Sequence, residues 1–63
     1  MIIEFYEDQI ETEKYMIKKC ELDIVLHKGD YIGFDGKKAI VRKVYFDLDH
    51  NRIKIALGYI DRI

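Results

Sequence analysis

Proline, tryptophan and serine are absent from this chain, and cysteine occurs once, at Cys20. A lone cysteine builds no disulfide framework, so the compartment expected is a reducing cytoplasm, with Cys20 as a small core or strand residue. Without serine there is no Gly-x-Ser-x-Gly elbow, and neither a Cys pair nor a His-x-x-x-His spacing offers a zinc site. Without proline, nothing in the sequence blunts an exposed strand edge. An excess of charge of one sign is also missing. Eleven Lys and Arg against twelve Asp and Glu leave a net charge of −1, which removes the surplus of cations usual in proteins that hold phosphate backbones without sequence preference. No apolar run approaches the ~18 residues of a membrane span, and Met1-Ile2-Ile3-Glu4 lacks the basic start and apolar stretch of a signal peptide. The expectation is a soluble, cytoplasmic protein with no membrane partner.

What is present is a β pattern. The 63 residues make a single domain, 1–63, and a chain so short buries only about 60% of its unfolded surface. Apolar residues at 49% suffice for a core, and charged residues at 37% speak for a solvated surface rather than disorder. Residues 28–57 read as three strands. Gly29-Asp30 opens the first, Asp35-Gly36 reverses the chain, and the run from Asp47 to Asn51 reverses it again. Asp-Gly between apolar runs is a strong hairpin signal, because glycine takes the positive φ of a primed turn at no steric cost. Ile32 and Phe34 point one way, Tyr31 and Gly33 the other, and Ala39 and Val41 continue the inward face. The spacing from Val41 to Val44 is three, so one extra residue at Arg42-Lys43, a β-bulge, is needed to keep Val44 and Phe46 inside. Ile53, Ile55 and Leu57 alternate with Lys54 and Ala56.

Residues 2–7 alternate as a strand, with Ile3 and Phe5 opposite Glu4 and Tyr6. Residues 8–21 read in two ways. Asp8 with Glu11 fits a helix capping box, which would make the protein α+β with a helix in 8–21. The β-formers Tyr15-Met16-Ile17 and the period of two in Leu22, Ile24 and Leu26 favour a hairpin, with its turn around Gln9 to Glu13. Its long second strand would be broken by a bulge near Lys18-Lys19. The fold expected is a small barrel of five antiparallel strands around Phe5, Leu22, Ile24, Ile32, Phe34, Val41, Val44, Phe46, Ile53, Ile55 and Leu57.

The succession Lys28-Gly29-Asp30-Tyr31-Ile32, Asp35-Gly36, Val41-x-x-Val44, Phe46-Asp47 and Ile53-x-Ile55-x-Leu57 resembles the small stand-alone SH3-like barrel proteins of bacteria and their phages. The resemblance covers residues 22–60 well and 1–21 loosely. It implies an SH3-like barrel and, narrowly, an inhibitor of a host protein. The later glycine of nucleic-acid-associated SH3-like motifs is absent here, so their RNA-binding role does not carry over.

No residue set demands a chemistry. Asp47, Asp49 and Asn51 stand at the spacing of a calcium loop's first ligands, but Arg52 replaces the required glycine and Gly58 the bidentate glutamate. A turn in which Asp and Asn bond their own backbone accounts for them. His27, His50, Asp30 and Cys20 form no catalytic or metal constellation, and a 63-residue barrel filled by its own side chains leaves little room for a pocket. The expectation is a protein that is not an enzyme and takes no metal, cofactor or small-molecule substrate. Tyrosines are the suggestive residues, each with an apolar face and a polar handle. The candidate partner-binding residues are Tyr31, Tyr45 and Tyr59 with Lys37, Lys38, Arg42 and Lys43. The favoured function is a protein-interaction or regulatory accessory module, engaging a partner chain or, through the segment 59–63, a weak homodimer. The other is a nucleic-acid accessory domain using Lys37, Lys38, Arg42, Lys43 and Lys54 with Tyr45. Retention on heparin separates the two.

Overall fold

The computed structural model describes residues 1–60, apart from the side chain of Phe34. In chain order the elements are β1 (Ile2–Glu7), a 3-10 turn (Glu13–Tyr15), β2 (Met16–Glu21), β3 (Tyr31–Phe34), β4 (Lys37–Asp47) and β5 (Arg52–Ile60). The strands form one sheet in the order β2-β1-β5-β4-β3, curled into a half-barrel. The fold is mainly β, as expected, but two features of the expected barrel are corrected. The sheet is not closed, because β2 and β3 remain its outer strands. It is also mixed, because β1 runs parallel to β5 while the other three pairs are antiparallel.

The local signals hold in the C-terminal half. Asp35 and Gly36 both take positive φ, 52° and 74°, as a type I′ hairpin turn requires. In the β4–β5 ladder Val41 faces Leu57 and Val44 faces Ile55, with Arg42 as the extra residue between. The bulge keeps Val41 and Val44 on one face, which is the inward one. Tyr59 and Ile60 belong to β5, opposite Ala39 and Lys38, so they do not form a tail beyond the last strand. Ile63 lies outside the described residues.

The N-terminal half departs further. Residues 1–21 are a hairpin rather than a helix, and the only helical turn among the described residues, Glu13–Tyr15, is capped by Thr12, whose hydroxyl accepts from the Lys14 N–H at 3.3 Å. The bulge falls at Ile17, since Phe5 pairs with Lys18 and Tyr6 with Met16. The second strand stops at Glu21 instead of running through Leu26. Glu21 pairs with Ile2, the first residue of β1, Leu22 still exchanges backbone hydrogen bonds with Met1 at 3.2 and 3.5 Å, and the pairing ends there. Residues 22–30 cross instead from β2 to β3, and Leu22 and Leu26 pack on the core.

The core is a cluster of Ile3, Phe5, Ala39, Val41, Ile53, Ile55 and Leu57, with Leu22, Ile32 and Val44 packed against it. The expected place of Phe34 in the core falls outside the described residues, and of the expected members that are described two lie outside the cluster. Ile24 is 56% exposed because its segment is not a strand, and Phe46 is 52% exposed. Phase is not the cause for Phe46, which pairs with inward-facing Ile53. β3 covers only residues 37–40 of β4, so no strand flanks Phe46 on that side.

Candidate functional site

The outer face of the sheet carries a buried polar network. Glu4 and Tyr6 alternate with Ile3 and Phe5 and so turn away from the core, yet Glu4 is only 2% exposed. The Tyr6 hydroxyl donates to Glu4 Oε1 at 2.7 Å, and Arg52 donates through Nη1 to Glu4 Oε2 at 3.2 Å and through Nε to Asp47 Oδ2 at 2.9 Å. Asp47 also accepts from the His50 backbone N–H at 3.3 Å and lies 3.0 Å from its ring Nδ1. Burial, and then the bond to Glu4, push the Tyr6 hydroxyl up to about 12, while the hydrogen bond from Arg52 holds Asp47 down at about 2. Asp47 in turn raises Arg52. Among the described residues no buried side-chain nitrogen or oxygen lacks a partner. With its lone pairs and protons engaged, the network acts as a clamp joining β1, β4, β5 and the 48–51 turn. The backbone bond from His50 to Asp47 is the turn chemistry expected there.

The concave side holds an apolar cleft of about 350 Å³. Phe5 forms its floor, Lys18, Cys20 and Leu22 one wall, and Ile32 and Gly33 the other, with Ile24 and Leu26 beside them. It lies between the two edge strands, β2 and β3, each paired along one side only. The Val41 N–H donates to the Asp30 carbonyl at 2.8 Å. This sets the phase of the β3–β4 ladder so that Tyr31 and Gly33 turn N–H and C=O outward, to the open edge. Cys20, a strand residue of β2 as expected, is half-buried, packs against the core and forms part of a wall of this cleft.

The expected partner-binding residues separate into groups. Arg42, Lys43 and Tyr45 come together with His27, Lys28 and Phe46 along the stretch of β4 that β3 leaves uncovered, lining a trough of about 660 Å³. Lys37 and Tyr59 lie elsewhere, with the Lys37 ammonium 5.2 Å from the Tyr59 ring centre. Lys54 is drawn over Tyr6, 5.5 Å from its ring centre. Tyr31 is exposed on β3 opposite Ile40, and Lys38 pairs with Gly33 at the far end of β4. Lys37 and Lys38 thus sit at the other end of β4 from Arg42 and Lys43, while Lys54 is the cross-strand partner of Tyr45. Lys28 and His27 were not foreseen, since they reach Arg42 through a tertiary contact, the Gly29 N–H donating to the Val41 carbonyl at 2.8 Å. No group of three His, Cys, Asp or Glu among the described residues is placed to hold a metal ion. No described helix is long and apolar enough to cross a membrane. No family model, curated protein or solved structure matches the chain.

Proposed function

We propose that the protein is a non-catalytic interaction module, a regulatory accessory protein that takes an extended segment of a partner protein into the cleft between β2 and β3. One observation carries the reading: two unpaired strand edges face a shared apolar cleft, at the place where a further strand would complete the barrel. A strand added at an open edge gains main-chain hydrogen bonds from groups already aligned, here those of Tyr31 and Gly33, and its alternate side chains enter the cleft. Gly33 suits that approach, for it leaves the edge backbone uncovered. The ammonium of Lys18 at the rim favours an acidic residue flanking the apolar ones. The likeness of residues 22–60 to small SH3-like proteins of bacteria and their phages agrees with this role, an inhibitor of a host protein being its narrowest form.

Selection of short peptides from a display library against the protein tests the proposal. The expected binders alternate apolar and polar residues, and they shift the amide resonances of β2 or β3. Cys20→Trp, which fills the cleft from its wall, abolishes their binding while the melting temperature holds. Binders that perturb neither edge, or that bind Cys20→Trp as well as the parent, would overturn the reading. Edge resonances that move with protein concentration alone would give the cleft to a second copy, as a weak homodimer.

A further inference from the structure

The trough beside the bulge is a different surface from the cleft, with residues 24–28 between them, and its chemistry differs. Lys28, Arg42 and Lys43 line both the trough and an adjoining notch that also includes Asp8 and Gly29. Among the described residues these three cations make no ion pair, whereas Lys19 and Arg52 are paired with acids and Lys14, Lys37 and Lys54 lie over tyrosine rings. The Arg42 side chain lies across Gly58, its Cζ and Nη2 2.7 and 2.8 Å from where a Cβ would stand. The missing side chain at Gly58 therefore makes the bed for a guanidinium held flat against the sheet. Next to these cations, Tyr45 is 51% exposed and Phe46 52%, with His27 on the same trough.

We infer that the trough binds single-stranded nucleic acid, a phosphate resting among Lys28, Arg42 and Lys43 and a base stacking on Tyr45. An anion alone accounts for the cations but leaves the exposed rings without a partner. A nucleotide supplies both halves, since every base offers a π face beside its phosphate. A duplex supplies phosphates but buries its base faces, so the rings select the single strand. The carboxylates of Asp8 in the notch and Glu11 beside Tyr45 and Lys54 confine the track to a short stretch of chain. Such a local site is compatible with a net charge near zero, because it needs about three cations rather than a basic surface.

Fluorescence polarisation of labelled oligothymidylate and oligouridylate at low salt tests the inference, with circular dichroism melts confirming that each variant is folded. The parent binds, and log K falls with log salt at a slope of about −2, from about 0.7 per cation for three cations on a single strand. Tyr45→Ala weakens binding roughly 5- to 150-fold, and Tyr45→Phe restores it. Arg42→Glu with Lys43→Glu abolishes binding. No polarisation change at low salt, or equal loss with Tyr45→Phe and Tyr45→Ala, would overturn the proposal. Competition by polyglutamate or by a duplex of equal length as effective as that of the unlabelled strand would also overturn it, assigning the trough to acidic chains or to phosphate alone.

Discussion

Arg52 serves two carboxylates with two different nitrogens, Glu4 through Nη1 and Asp47 through Nε, and this sharing gives the protein a defined response to pH. Asp47 titrates at about 2 in the fold against an ordinary 3.8. Its carboxylate form is the one the fold favours, so its contribution is complete above about pH 4 and is lost as the pH falls towards 2. Tyr6 is the mirror case, raised from 10.0 to about 12. Its protonated form is favoured, so its contribution is complete below about pH 10 and fades between 10 and 12. Urea midpoints measured across pH should fall on both flanks. Asp47→Asn should lessen the acid dependence and Tyr6→Phe the alkaline one, while both lower the midpoint at neutral pH by leaving Arg52 or Glu4 short of a partner. An alkaline flank unchanged in Tyr6→Phe would show that another group titrates there. The sequence placed Glu4 and Tyr6 opposite the core by simple alternation. Their burial was not legible, because the residue that makes it tolerable, Arg52, lies 48 positions away.

At the scale of elements, the bulge at Arg42 is the feature on which the register of β4 depends. The same residues in a regular strand, without the bulge, would turn Val44 and Phe46 outward and Lys43 and Tyr45 inward, whereas removing Arg42 itself leaves Val41 and Val44 two apart and the ladder regular with its pairs unchanged. Deletion of Arg42 should therefore still give a cooperative melt by circular dichroism, whereas deletion of Arg42 and Lys43 together, which makes Val41 and Val44 adjacent and turns Val44 and Phe46 outward, should not; two alike melts would mean the ladder can slip. The bulge was readable because a spacing of three interrupts a run of twos, and the β3–β4 turn because Asp-Gly has few other uses. The segment 22–26 misled for an instructive reason. Leu22, Ile24 and Leu26 alternate, but a period of two makes a strand only where a neighbour offers a ladder. Here Leu22 and Leu26 alone reach the core, while Ile24 and Val25, at 56% and 58% exposed, line the open side. The pairing of β1 with β5 left no local trace, being a contact between the two ends of the fold. The trough was half legible in the same sense: Arg42, Lys43 and Tyr45 are neighbours in sequence, and Lys28 and His27 are neighbours only in space.

The whole molecule holds little in reserve. At roughly 0.05–0.15 kcal/mol per residue, a domain of 63 residues has about 3–9 kcal/mol between folded and unfolded. Ile55 is buried in the central strand, and Ile55→Ala should cost about 2–5 kcal/mol. Urea denaturation of this variant should show a largely unfolded population at low denaturant; a loss under about 1 kcal/mol would mean that the half-barrel collapses around the gap. The position of β5 has a consequence for how the protein is made. The strand in the middle of the sheet is the last of the five to be synthesised. The ribosome releases the β1–β2 hairpin first and the β3–β4 hairpin next, and each waits with a long edge bare for the strand that will lie between them. Two-stranded hairpins are marginal in water on their own. Translation halted before Arg52 thus yields two unjoined ribbons with no common interior, and chaperones and proteases meet the nascent chain in that state until the fifth strand has left the exit tunnel.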